Sequence, residues 1–317
     1  MPVLYIRLVN SIGGIQKKRL VRIIEWLIML AAYAYLVYRL VTFDDYGAFA
    51  AVFTSSGFKQ WAALLCCVLL MPFNLWCESG KWQQLLSEEH PMSRMESLRQ
   101  VLYGQVAAFV TPYRLGDIPA RVLRLNSPDR WKQALVLGLY GGLIQTVIIV
   151  ACGFIPTAVF LRRMSLPYLP QIAVAAGVVL IVFGVLQYKS LPLSIRLSGR
   201  QLLSTFVWST ARYACWLIQF TLVLLWVGQP LGLQELCIAI PTYYLFVTLT
   251  PNIPIADAGI RGSWAVFTLG LYGVNAPVAA LVAISMWLIN NLLPVALYLP
   301  FSKFSVHREP SERHNPD

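Results

Sequence analysis

Long apolar runs separated by short polar and basic segments dominate the chain. Gln133–Phe160 and Ser263–Ser302 contain no charged residue at all, and about 20 helical residues suffice to cross a hydrocarbon core roughly 30 Å thick. The pattern predicts full spans at about 23–41, 60–77, 133–160, 170–188, 201–227 and 277–300. With no water available inside the bilayer, each run must satisfy its own backbone, so the expected spanning element is the helix rather than a barrel. The predicted class is an all-α polytopic membrane protein.

Two apolar stretches do not fit six spans. Residues 98–112 are interrupted by Pro112 after some 15 positions, about 22 Å of helix at 1.5 Å per residue and short of a full crossing. Residues 235–249 stop at "TPNIPIADAG", and a second leg, 263–273, follows. Both stretches are expected to be re-entrant hairpins entering from opposite faces. Under that scheme segments 1–22, 78–99, 114–132, 189–200 and 301–317 share one side and hold 19 of the 25 Lys and Arg residues. The excess of positive charge assigns that side, and both termini, to the cytoplasm. The basic N-terminus, residues 1–22, precedes a span with no small-residue cleavage site, which predicts an anchor rather than a removed signal peptide.

The breaks resemble one another. "TPYRLGDIPAR" (111–121) and "TPNIPIADAGIR" (250–261) both begin Thr-Pro and end Asp-x-x-x-Arg, and the Asp–Arg pairs are offset by 140 residues. A duplicated unit with elements near 98–130 and 235–273, inserted from opposite faces, predicts an inverted repeat with a substrate site between the broken helices. Where the helix restarts, Asp117 is expected near the N-cap and Pro119 in the first turn, leaving free amide donors for an anion. Arg114 and Arg121 would add bidentate donors suited to a phosphodiester, and Arg261 the same from the other half. The candidate substrate-binding set is Thr111, Arg114, Gly116, Asp117 and Arg121 at the first break, and Thr250, Asp257 and Arg261 at the second. Arg212, inside the apolar run "STARYACWLIQF", joins them because an intramembrane arginine is costly. The competing reading is structural: each Asp–Arg pair at i,i+4 neutralises itself so that a hairpin tip can stay buried.

Composition agrees with a membrane protein. Of 317 residues 58% are hydrophobic and 12% charged, and the mean hydropathy is +0.64. The net charge of +11 would suit nucleic acid, but the basic residues cluster between spans and so report orientation instead. Six cysteines lie in apolar runs without metal or disulfide spacing, and two of the three histidines fall in the polar tail 301–317, expected to be disordered. No metal or cofactor is implied. The stretch 78–98 is read as an amphipathic or solvated connector with Glu78 at the interface, carrying no chemistry. Asn290, Asn291, Thr242, Tyr243 and Tyr244 are read as helix-packing hydrogen-bonders.

At "TPYRLGDIPAR" and "TPNIPIADAGIRGSW" the chain resembles the lysylphosphatidylglycerol synthase transmembrane-region family, the flippase-like domain also found in the multiple peptide resistance factor. Asp117 stands where the family usually has glutamate, Arg261 is retained, and Gly262 occupies a position where glutamate is common, with Asp257 a substitute carboxylate. The resemblance covers roughly residues 20–300 and implies a translocase in an inner cell membrane for an anionic or modified phospholipid or a polyprenyl-linked lipid. Two-domain members carry a soluble aminoacyl-transferase domain, and no segment of that size follows residue 300. Two other functions stay open: a membrane-embedded lipid-modifying enzyme with Asp117 as general base, and a non-transporting partner of a lipid synthase.

Overall fold

The computed structural model describes residues 57–111, 114–125, 131–164, 197–250 and 257–302, with six single positions between 37 and 54. All regular structure among these residues is helical. In chain order the helices are α1 (Phe58–Leu85), α2 (Arg94–Val110), α3 (Asp117–Leu123), α4 (Trp131–Arg163), α5 (Gly199–Trp226), α6 (Leu233–Leu249), α7 (Asp257–Gly270), α8 (Ala276–Trp287) and α9 (Leu293–Ser302). A π turn, Leu288–Leu292, joins α8 to α9 without a break. The expected spans at 170–188 and, apart from Val37, Tyr38 and Val41, at 23–41 lie outside the described residues, as do 1–22 and the tail beyond 302.

Among the described residues three helical stretches are long and apolar enough to cross a membrane: α1, α4 and the continuous segment Ala276–Tyr298. They overlap the runs expected at 60–77, 133–160 and 277–300. α5 equals α1 in length at 28 residues but carries Arg212 at its middle. Its outward face, with Leu203, Phe206, Val207 and Ile218 exposed, is as apolar as a lipid-facing surface requires.

Local signals explain most helix ends. Ser93 caps α2 by accepting the Glu96 amide at 3.1 Å. Ser198 and Gln201 form a capping box on α5, and the Gly232 amide donates to the Glu235 carboxylate at 2.9 Å at the start of α6. The connector expected at 78–98 divides differently: 78–85 are the last turns of α1, and α2 already begins at Arg94. Trp82, Leu85 and Leu86 are fully buried there, packed with Val101, Val122, Leu137 and Tyr140, and so do not lie along a membrane surface.

α1 and α5 run antiparallel along nearly their whole length. Gln219 donates to the Cys67 carbonyl at 3.0 Å, and Gln201 to the Leu85 carbonyl at 3.2 Å, so the contacts advance in opposite senses along the two helices. α4 and α6 cross just as closely. A Cβ at Gly153 would lie 3.0 Å from the Pro241 carbonyl oxygen and 2.9 Å from the Leu245 Cβ, the small-residue approach that drives packing where lipid is as apolar as the protein.

Both broken elements fold back on themselves. α3 returns against α2, and α7 against α6, where Trp264 stacks on Phe246 with ring centroids 4.6 Å apart. The first leg is 94–110 rather than 98–112, and the second hairpin's return leg is 257–270 rather than 263–273. Gly104 makes the first return feasible. A methyl there would sit 2.5 Å from Asp117 Oδ1 and 2.7 Å from the Asp117 backbone oxygen. Gly104→Ala is therefore expected to lower stability by about 1–3 kcal/mol through overpacking, measured by thermal unfolding in detergent, whereas Gly142→Ala, with open space around it, leaves the midpoint unchanged or slightly higher.

Candidate functional site

The two tips are built alike. At the first, Thr111 ends α2 in an extended conformation, its amide donating to the Ala107 carbonyl at 3.1 Å and its hydroxyl to the same oxygen at 2.7 Å. At the second, Thr250 ends α6 in the same way, with 3.0 and 2.8 Å to the Phe246 carbonyl. Each threonine thus closes its helix with its own side chain, and each hydroxyl then accepts a bond from the returning leg of the hairpin. Thr111 Oγ1 accepts the Gly116 amide at 2.9 Å, and Thr250 Oγ1 accepts the Trp264 indole at 2.8 Å.

Beyond each tip an aspartate opens the return helix, and an arginine four residues later bonds to it. Arg121 Nε to Asp117 Oδ1 and Arg261 Nε to Asp257 Oδ1 both measure 2.8 Å. The N-cap of α3 is Gly116, with Asp117 next to it in the first turn, near the cap as the sequence suggests. α3 spans only seven residues, too few for aligned peptide dipoles to build an anion site at its start.

A carboxylate assigned no role by the sequence pattern organises the first half of the site. Glu78, expected at the interface, is 5% exposed and receives three cations. Arg121 Nη1 reaches Oε1 at 2.8 Å, Lys81 Nζ reaches Oε2 at 2.7 Å, and Arg212 Nη1 also pairs with Oε2. The correction has a simple physical cause: α1 continues past Cys77, so Glu78 is carried inward toward α3 and α5. Its signal in the sequence is the Glu-x-x-Lys pair at the end of an apolar run, a spacing that places both charges on one helix face.

Arg121 is consumed by this network. Its Nε and Nη2 hold both oxygens of Asp117, Nη1 holds Glu78, and the guanidinium lies 5.6 Å from the Trp82 ring. Trp82 is itself fixed by donating to Gln100 Oε1 at 2.7 Å. Arg212 is more open: Nε donates to Asn74 Oδ1 at 2.9 Å, its side chain is 22% exposed, and its charge sits 4.8 Å from the Trp216 ring. The carboxylate that Arg212 pairs with is Glu78.

The π turn brings the halves together. Arg114, in the left-handed region at φ 56°, donates through Nη1 to Asn291 Oδ1 at 2.6 Å. Trp287, just before the turn, donates to Asp257 Oδ2 at 2.8 Å. Asn290 accepts from Asn74 Nδ2 at 2.6 Å through its side chain and from Gln105 Nε2 at 2.7 Å through its carbonyl. Asn290 and Asn291 therefore join α1, α2 and the first tip, beyond simple helix packing. Arg114 lies close enough to feel the charges of Asp117, Asp257, Arg261 and Arg212. All nine candidate residues fall within this assembly or its two tip turns. Glu78, Lys81, Asn74 and Trp287 are the members that the motifs did not point to.

A scan against models of known protein families matched nothing, and a search of curated proteins found no relative.

The Glu78 hub sets a stability test. Glu78→Gln removes the shared counter-charge of three buried or half-buried cations, and loss of one partner from a buried ion pair costs about 3–5 kcal/mol. The expected result is a large drop in the thermal midpoint of the full chain, partly recovered in Glu78→Gln/Lys81→Met, where one of the stranded charges is also gone.

Proposed function

We propose that the chain is a lipid translocase of the flippase type, multi-pass in a cell membrane, which holds an anionic head group between two re-entrant tips and passes it from one leaflet to the other. The finer architecture belongs to the same reading: six full spans, an inverted repeat relating the tips, and both termini in the cytoplasm of an inner membrane. The single observation that carries it is the meeting of two like-built tips at the π turn, where Arg114, Arg212 and Arg261 are only partly covered. Irregular backbone within a bundle of apolar helices is tolerated where it lines a protein cavity, and paired broken helices are a recurrent way to place a polar site between repeats. The family resemblance at both tips points the same way.

Within this reading the donors divide into two kinds. Arg114, Arg212 and Arg261 face the head group, while Arg121, saturated by Asp117 and Glu78, positions the first tip. Thr111, Gly116 and Thr250 shape the turns. Asp117 and Asp257 hold arginines. Both oxygens of Asp117 are bonded to Arg121, and those of Asp257 to Arg261 and Trp287, an arrangement that favours a binding site over one in which an aspartate acts as general base. A partner lipid synthase would supply the lipid without contributing to these tips.

The test is leaflet exchange of a fluorescent anionic lipid in proteoliposomes, measured by quenching from outside. Wild type is expected to accelerate exchange. Arg114→Ala, and Arg261→Gln combined with Asp257→Asn so that no buried carboxylate is stranded, should each weaken head-group binding by about 1.5–3 kcal/mol, the value of one hydrogen bond to a charged group, and slow exchange accordingly at unchanged thermal stability. Undiminished exchange by both stable variants would remove the head-group role.

A further inference from the structure

Between α4 and α5, four buried oxygens have no protein partner among the described residues. They are Thr205 Oγ1, Ser209 Oγ and Tyr213 Oη on α5 and Gln145 Oε1 on α4, and none of the four residues is more than 7% exposed. Thr205, Ser209 and Tyr213 follow one another at i,i+4, which stacks them along one side of the helix. Gln145 stands across from the middle of that row, its Nε2 donating to the Ser209 carbonyl at 3.3 Å. Other helix hydroxyls are satisfied locally: Thr268 donates back to the Trp264 carbonyl at 2.7 Å and Thr221 to the Leu217 carbonyl at 3.0 Å. Thr205 and Ser209 make no such bond, which leaves their hydroxyls for a partner outside the helix. The row also leads to the ion network. α1 and α5 pair in a constant register, Gln219 with Cys67, Arg212 with Asn74 and Gln201 with Leu85, which sets Thr205 level with Lys81. Gly141 of α4 comes to the same level, where a Cβ would lie 3.6 Å from Lys81 Cε. An oxygen buried without a partner costs stability, and native structures meet such groups with internal water.

We infer that the seam between α4 and α5 is a water-binding site: an internal row of ordered water that runs from Tyr213 past Ser209 and Gln145 to Thr205 beside Lys81. Water is the class of ligand that fits. The three hydroxyls can each donate or accept and the amide oxygen accepts, so a molecule that does both can bond several of them at once. A metal cation would use the same oxygens, but the Lys81 ammonium at one end of the row opposes it. The site lies in the helix bundle and not at the tips, and it does not depend on the translocase reading.

The experiment is X-ray radiolytic labelling of the full chain in nanodiscs, read residue by residue by mass spectrometry. Bound water yields hydroxyl radical in place, so the Tyr213 ring is expected to be oxidised although the residue is 3% exposed. Phe220, 0% exposed in the apolar core, is the dry control and should stay unlabelled. Ser209→Ala/Gln145→Met removes the two partners beside Tyr213 and should abolish its labelling. Thr205→Val tests the other end of the row through stability. A hydroxyl that holds water is missed and the thermal midpoint falls, whereas a hydroxyl buried dry is better replaced by a methyl and the midpoint rises. Exchanging sodium for choline in the buffer should leave the wild-type midpoint where it is. Absence of Tyr213 labelling in the wild type, labelling undiminished in the double variant, or a raised midpoint in Thr205→Val each overturns the inference. A midpoint that falls when sodium is removed would assign the row to a cation and overturn it also. The wild-type labelling and the Thr205→Val midpoint decide the matter even where the double variant fails to fold.

Discussion

A carboxylate with three cations around it is an unusual thing to bury in a bundle of apolar helices, and the arrangement of the described helices follows from satisfying it. Glu78 lies seven positions from the end of α1, yet its two oxygens are reached from α1 by Lys81, from α3 by Arg121 and from α5 by Arg212. Removing any one element would strand charge in a region with little water to solvate it. The antiparallel seam of α1 with α5 and the return of α3 across α2 are thus tied to the same two oxygen atoms. Apolar packing alone would not specify that geometry, since lipid and protein interiors compete on nearly equal terms for an apolar helix face.

In the proposed reading, structural neutralisation and ligand recognition divide between residues. Arg121 and Asp117 neutralise one another inside the protein, as a buried tip requires. Arg114, two residues from the break and in a backbone conformation that side chains seldom adopt, is held by the Asn291 amide, with no ion pair to a carboxylate among the described residues. The chain therefore keeps the first tip closed with one arginine while offering another. The second tip has a single arginine for both tasks, and Arg261 retains partial exposure beside its aspartate.

Sequence reading recovered what depends on local periodicity and local chemistry. The long apolar runs among the described residues are helices, the two Thr-Pro segments are breaks, and the i,i+4 spacing of Asp and Arg became two bonds of equal length. It missed what depends on which helix face turns inward. Glu78 was given to an interface because a charge at the end of an apolar run usually marks the end of a span; here the helix runs on for seven more residues. Asn290 and Asn291 gave no sign of joining the tips, because the π turn that presents them arises from tertiary contacts and has no composition of its own. Arg212 had several carboxylates within plausible reach, and only the pairing of α1 with α5 selects among them.

That five-residue π turn also fixes an angle. An α-helix advances about 100° per residue around its axis, and a π turn accommodates one extra residue within the turn. α9, which packs against α2, is consequently rotated by about that amount from the azimuth an unbroken α-helix would give it. Were the turn to relax to α geometry, Asn290 and Asn291 would leave Asn74 and Arg114, and the face that α9 offers to α2 would swing by the same arc. The grip on the tip and the azimuth of α9 are set by one inserted residue.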